Sequence, residues 1–401
     1  MSKRFLALGV IATASLSGCV SMPLDYGVAA AGCPAMTASA PITAERPIYI
    51  VATGMPDCRG ASPVLTVGRG TPLPFGAPRP YGGPIRYGVE TAPMPITAGA
   101  APQEPVAAGA KKAKKQAMLP VLGLVEEQAW RRRLAADVAK SSGKRVLLFV
   151  HGFNSAPDEA LKRADEVSAA AGFDGPVVAF LWPSQRSVAK YTWDEENERW
   201  TQPYLDTLLI ELATVSDDVV LVAHSMGNRM AIDALSDLQR AHPELATHIR
   251  TVVLASPDVD REIFDRDLAR VVVAPGRHVT LYASRLDRAL QASWAIHGAP
   301  RAGDVNCTYR LRGGKADVTH CYPAARPGLE VVDTSEVSKG LGHTDFVQAP
   351  EGAADLCHAL AGQPNPKGRV KVDGAFVLAR GVVDRTGCPE GAKRLVPHPS
   401  M

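Results

Sequence analysis

The chain has 401 residues, 46% of them hydrophobic and 21% charged, and its 44 basic and 41 acidic residues leave a formal net charge of +3. Removing residues 1–18 takes away Lys3 and Arg4 and no acidic residue, so the charge falls from +3 to +1. A balance this even speaks against a nucleic-acid binder, and roughly 300 residues of ordinary composition suffice for one large hydrophobic core.

The N-terminus reads as an address. Lys3 and Arg4 precede a mostly apolar stretch from Phe5 to Leu16, closed by Leu16-Ser17-Gly18-Cys19. That layout is a secretory signal, too short for a membrane span. Its ending resembles the bacterial lipoprotein signal, in which lipid attaches to the Cys19 thiol and residues 1–18 are cleaved off. The alternative is an ordinary signal peptide with an incidental cysteine. Val20, in place of an aspartate, inclines the resemblance toward the outer membrane on its periplasmic side, and several acyl chains make such anchoring firm. Residues 19–45, rich in Ala, Gly, Pro and Thr, are expected to form a flexible lipidated tether.

From Pro47 the character changes, and one large folded domain is expected over 46–361. Ile48–Ala52 is a strand candidate, and the Gly/Pro-punctuated stretch to about residue 118 reads as short strands and loops. Its basic run, Lys111-Lys112-Ala113-Lys114-Lys115, is a solvated loop or a contact for anionic head groups. Leu124–Lys140 follows as a helix, with Trp130 and Leu134 among its apolar positions. Strand and helix then alternate. Arg145–Val150 is a strand, and Pro157–Ala171 a helix with Ser155 as N-cap and Gly172 as its stop. Val177–Leu181 is a strand, Glu195–Thr214 a helix, and Thr251–Ala255, His278–Ala283 and Leu329–Val332 are later strands. Such alternation predicts an α/β fold, a mostly parallel sheet with helices on both faces. Residues 362–401 read as a C-terminal extension, with Arg369–Val383 a strand or hairpin that the pattern does not place. Six cysteines remain after Cys19 and allow 15 pairings. Local pairs 33–58, 307–321 and 357–388 are expected, against an alternative of partly free, buried thiols, and none of the six has metal-site spacing.

The most informative segment is Val219-Val220-Leu221-Val222-Ala223-His224-Ser225-Met226-Gly227. An apolar run, a serine between small residues and a helical stripe (Met230, Ala231, Ala234, Leu235, Leu238) read as a nucleophile elbow. The strand and helix backbones pass close at such a turn, so the residues two before and two after Ser225 must be small. Ala223 and Gly227 are. A serine hydroxyl needs an imidazole to take its proton and an acid to orient that imidazole. In chain order Asp287 follows the strand at 278–283, and His343 lies in Gly340-Leu341-Gly342-His343-Thr344. Asp258 and Asp260 are the rival acids, with helix-capping as their structural alternative. His224, beside the nucleophile, is expected to point elsewhere; His242, His248 and His278 read as surface or strand-end residues, and His320 and His358 as structural. Met226 N–H and Phe153 N–H, in His151-Gly152-Phe153-Asn154, are the expected oxyanion donors. His151 and Gly152 would shape that loop and Asn154 brace it. Trp182, Tyr191, Trp193 and Trp200 would line a pocket or pack helices, and Ser184 lacks an elbow around it.

With these residues in place the chain resembles a bacterial α/β-hydrolase family of unknown function. The resemblance rests on Val51-Ala52-Thr53, His151–Asn154, Phe180-Leu181-Trp182-Pro183-Ser184, Ala223–Arg229, Ser256-Pro257-Asp258-Val259-Asp260, Leu281-Tyr282-Ala283 with Asp287-Arg288-Ala289-Leu290, and Gly342-His343. It spans about residues 47–360 and departs early, where Gly54–Cys58 follows Thr53 in place of a nearby arginine. It implies an esterase- or lipase-like fold and triad without naming a substrate. The expectation is an envelope-anchored serine hydrolase acting on a small acyl ester or thioester, needing no metal or organic cofactor. A non-catalytic envelope lipoprotein that keeps the fold as a binding platform is the alternative.

Overall fold

The structure, a computed structural model, describes residues 48–57, 64–69, 86–90, 119–120 and 127–388, apart from loop positions 186, 306–307, 313–314, 325, 364, 366 and 373. The signal, the tether with Cys19, the basic run and Cys33, Cys58 and Cys307 lie outside them.

Ten strands form one sheet: β1 (Ile48–Ala52), β2 (Arg86–Glu90), β3 (Arg145–Val150), β4 (Val177–Leu181), β5 (Asp218–His224), β6 (Ile249–Ala255), β7 (His278–Ala283), β8 (Leu329–Asp333), β9 (Arg369–Val372) and β10 (Ala375–Leu378). Their order is β9-β10-β8-β7-β6-β5-β3-β4-β1-β2. From β10 to β1 all pairs are parallel, and only the edge pairs β9/β10 and β1/β2 are antiparallel. The inner strands are continuous β-branched and aromatic runs such as VVAFL and RVLLFV, buried on both faces. That composition suits a parallel sheet sandwiched by helices and no alternating half-exposed strand.

Two apolar layers follow. One face packs α1 (Glu127–Lys140), α3 (Tyr191–Val215) and α4 (Gly227–Ala241) through Trp130, Leu134, Leu205, Leu208, Met230 and Leu235. The other packs α2 (Pro157–Ala171) and a C-terminal helix, Pro350–Leu360, through Leu161, Ala164, Val167 and Leu356. Gly172 stops α2 in the left-handed conformation as expected, but Ala156, not Ser155, is its N-cap. The Glu159 carboxylate accepts from Ala156 N–H, whereas Ser155 Oγ turns back to the Phe153 carbonyl. Helix α3 begins four residues before the expected Glu195, because its first turn is pinned from inside by buried Asp194.

The strand order reverses beside β3. The chain passes from β3 to β4 on one side and then to β5 on the other. Open α/β sheets bind ligands at the carboxyl ends of such a pair. The loops after β3 and β5 carry His151 and Ser225.

The segment from Arg369 becomes the β9/β10 hairpin, so the expected extension supplies two strands of the sheet. Its anchor is Arg369, whose buried guanidinium donates to both Asp355 oxygens (Nε 2.6 Å, Nη2 2.9 Å) and to Glu330 (2.5 Å). Asp355, on the Pro350–Leu360 helix, also accepts from Tyr282 Oη and Asn365 Nδ2. The expected Cys357–Cys388 disulfide is present and ties that helix to the chain beyond the hairpin. Arg369→Ala would leave Asp355 buried beside no cation, and is expected to cost about 3–5 kcal/mol of unfolding free energy in chemical denaturation.

Candidate active site

Strand β5 runs into α4 through Ser225, whose φ of 54° lies in the left-handed region that side-chain-bearing residues avoid. Four hydrogen bonds hold it there. Ser225 N–H donates to the Ala255 carbonyl (2.9 Å). Its own carbonyl accepts from Asn228 N–H (3.1 Å), Asn228 Nδ2 (2.9 Å) and Asp258 N–H (3.2 Å). The demand for small neighbours is explicit in the geometry: a Cβ on Gly227 would sit 2.3 Å from the His151 carbonyl oxygen. A Cβ on Gly152 would lie 2.6 Å from Ser225 Cβ and 2.9 Å from the His224 carbonyl oxygen. Ala223, fully buried at the end of β5 between Val150 and Leu254, fits with its single methyl.

The loop after β3 is fixed by its neighbour strand. Trp182 stacks flat on His151 (centroids 5.1 Å, planes 3° apart). Trp182 Nε1 donates to the His151 carbonyl (2.8 Å), and Trp182 N–H donates to His151 Nε2 (3.1 Å). Nε2 therefore accepts, and Nδ1–H donates to the Gly152 carbonyl (2.9 Å). Burial pushes the His151 imidazole down to about 4, so it stays neutral. Asn154 is exposed and serves through its backbone, at φ 58°, with its N–H turned to Asp194 rather than through a bracing side chain. Ser184 donates to Asp194 (2.7 Å), a carboxyl that burial raises to about 6, and acts as a structural link. Trp182 and Tyr191 are buried packing groups, while Trp193 is half exposed. Phe153 N–H and Met226 N–H, one on each side of the switch point, donate to no backbone carbonyl among the described residues.

Asp287 and His343 meet directly. His343 Nδ1 lies 2.9 and 2.8 Å from the two Asp287 oxygens. A carboxylate only accepts, so Nδ1 carries the proton and Nε2 keeps its lone pair. Asp287, fully buried, is also the N-cap of α5 (Arg288–His297) through Leu290 N–H (3.0 Å). Gly342 makes the approach feasible. Its φ is 78°, and a Cβ there would lie 2.4 Å from Leu286 C and 2.6 Å from Asp287 N. Burial pulls the His343 imidazole down, but the Asp287 charge and hydrogen bond outweigh it and raise it above 6.5.

His224 does not point elsewhere. Its ring packs on His343 (centroids 4.6 Å), and its Nε2–H donates to the His343 carbonyl (3.0 Å), which Ser256 Oγ also reaches (3.3 Å). Burial, and then the neighbouring His343, hold the His224 imidazole far below its usual value. No local pattern announced this contact, because the loop that brings His343 over His224 starts more than a hundred residues downstream. Ser225 is thus one residue from the group that seats His343.

The rival acids separate. Asp260 is a helix N-cap, accepting from Ile263 N–H (3.0 Å), as its capping alternative required. Asp258 is no cap. It is a buried hub for Arg301 Nε (2.8 Å), Ser293 Oγ (2.6 Å), the Tyr191 hydroxyl and Arg229, whose main-chain partner is the Asp258 carbonyl (2.8 Å). Burial would raise this carboxyl, but the two guanidiniums win and hold it down.

The model of the family described as alpha/beta hydrolase of unknown function (DUF900) matches residues 126–359. The chain belongs to that family. No curated protein matches it. Among solved structures it is similar to a phospholipase PlaB from Legionella pneumophila, at 12% identity and a TM-score of 0.31, over 54% of this chain and 60% of that one. It is similar also to an esterase from Rhizomucor miehei (13%, TM-score 0.26, 54% and 75%) and to a mutant of the esterase rPPE (10%, TM-score 0.28, 60% and 89%). This α/β-hydrolase chain thus spans about three fifths of the phospholipase's length.

Gly342→Ala should force the His343 loop off Asp287. The expected loss is about 1–3 kcal/mol from strained backbone alone, read by denaturation, with a weakened Asp287–His343 contact visible as a lower His343 titration midpoint by NMR.

Proposed function

We propose that this protein is a serine hydrolase that cleaves a carboxylic ester or thioester through an acyl-enzyme. The observation that carries the reading is the Asp287–His343 pair, Nδ1 facing both carboxylate oxygens, seated against the residue that precedes the elbow serine. His343 Nε2 takes the Ser225 Oγ proton as Oγ bonds to the acyl carbon, and the carbonyl π pair moves onto oxygen. Phe153 and Met226 N–H groups hold that oxyanion, each worth about 10²–10³ in rate. The oxyanion collapses and expels the alcohol or thiol, which leaves with the proton from His343. Water, deprotonated by His343, attacks the acyl carbon in turn and frees the acid and Ser225. Asp287 keeps the tautomer and balances the imidazolium throughout. In the same reading, residues 1–18 are removed and lipid on Cys19 holds the enzyme at the periplasmic side of the outer membrane.

Fluorophosphonate labelling of the mature protein, wild type beside Ser225→Ala and His343→Ala, tests this. One labelled site that both substitutions abolish is expected. A folded wild type that takes no label overturns the reading and favours the binding platform.

The pH response provides a second check. Only neutral His343 accepts a proton, and its raised value places the fall in kcat/KM, as pH drops, above pH 6.5. Stability has the opposite sign: the raised imidazole stabilises the fold fully below about 6.5 and ceases to do so as pH rises through its folded value. Asp287→Asn should lower kcat by about 10⁴-fold, with the acid limb moved to lower pH because the charge that raises His343 is gone.

A further inference from the structure

Three chain segments frame the carboxyl end of the sheet: the segment 182–193 after β4, the segment 284–297 after β7, and the loop at 340–344 after β8. Each of them exposes large apolar side chains. Val188 (68% exposed), Trp193 (51%), Leu286 (41%), Trp294 (40%), Ile296 (52%) and Leu341 (70%) make up six of the ten exposed large hydrophobics among the described residues. The segments touch one another. Arg288 N–H donates to the Leu341 carbonyl (3.0 Å), His297 at the end of α5 packs on Tyr191 (5.5 Å), and Tyr191 packs on Phe153 (5.0 Å). The exposed groups therefore form a rim around the Ser225–His343 site instead of being scattered.

Helix α5 is the clearest part. Only Leu290 and Ser293 of its ten residues are buried, and Trp294 and Ile296 face outward. No acidic residue occurs between Asp287 and Asp304, while the exposed Arg288 does; Arg301 is buried against Asp258. The acids nearest the rim are already paired: Glu195 with Arg229 and His297, Glu196 with Arg199, Glu336 with Arg285. The cations Arg288 and Lys339 form no ion pair among the described residues, and Lys190 lies over the Trp193 ring. An apolar rim with Trp at its edge, whose unpaired exposed cations are Arg288 and Lys339 among the described residues, is complementary to an anionic bilayer surface.

Resting on the hydrolase reading above, we infer that this rim docks on an anionic lipid surface and that the ester cleaved at Ser225 belongs to a bilayer lipid. The tether allows it. Ile48 starts β1 at the amino end of the parallel strands, opposite the carboxyl end where the rim lies, so a Cys19 anchor must be carried around a domain ~40–50 Å across. The stretch from Cys19 to Ile48 spans up to ~100 Å when extended. In the docked pose the acyl carbon of a lipid enters directly between Phe153 N–H and Ser225, without first crossing water.

The test uses the mature chain with Cys19→Ser, so that no lipid anchor contributes, and vesicles of phosphatidylethanolamine with phosphatidylglycerol. Flotation of the protein with these vesicles and release of fatty acid from them are expected. Trp294→Gln combined with Ile296→Gln should reduce both by about tenfold or more while dissolved p-nitrophenyl acetate is still cleaved as before, which also reports the fold. Trp193→Gln, on another segment of the rim, should act in the same direction. Failure of the parent protein to float, or a double variant that floats equally well, overturns the docking face, including the case where the rim is covered by this chain or by another protein. Flotation that depends on Trp294 but comes with no turnover of either ester overturns the hydrolase reading and the lipid substrate, and leaves the docking face standing.

Discussion

Everything at this site depends on how closely two backbones cross at the switch point of the sheet. Strands β3 and β5 are parallel neighbours, and the loops that leave them turn in the same small space. Gly227 lies where any side chain would strike the His151 carbonyl, and Gly152 where any side chain would strike Ser225. The left-handed serine, the two amides without an acceptor among the described residues and the seat for the imidazole are consequences of that approach. The strain of the serine, of order 1–2 kcal/mol, is small against the bonds from Asn228, Asp258 and Ala255 that enclose it.

Three histidines near the site show one side chain tuned three ways by its surroundings. His151 is stacked on Trp182 and neutral, with both nitrogens occupied by main-chain partners. His224 is held neutral by burial and by the His343 imidazole it packs against, whose charged form would repel its own. His343 alone has a carboxylate on Nδ1, and its basicity is raised although it too is enclosed. A neutral His224 matters for the proposed reaction, because a second imidazolium at 4.6 Å would oppose one formed on His343.

Buried charge is distributed so that the acids do not compete. Asp258 is neutralised by Arg229 and Arg301 and braced by Tyr191 and Ser293, leaving Asp287 to serve His343. At the far edge, Arg369 and Asp355 do for the β9/β10 hairpin what packing alone would do less selectively, since their bidentate geometry admits one register. Among the described residues no helix is long and apolar enough to cross a membrane.

The sequence by itself determined the alternation of strand and helix, the elbow at Ser225, the loop at His151 and the order Ser, Asp, His. These follow from local rules: β-branched runs bury as parallel strands, and a close turn admits only small residues. Tertiary structure decided what local rules leave open. His224 met His343 because a loop from β8 crosses above β5. Asp258 became an ion-pair hub because Arg301, forty-three residues on, folds back to it. The hairpin after Arg369 found its place on the sheet through Asp355, a side chain on a different element. In each case the deciding partner is distant in sequence, and a buried charge or carbonyl fixes only that it must have a partner, never which one.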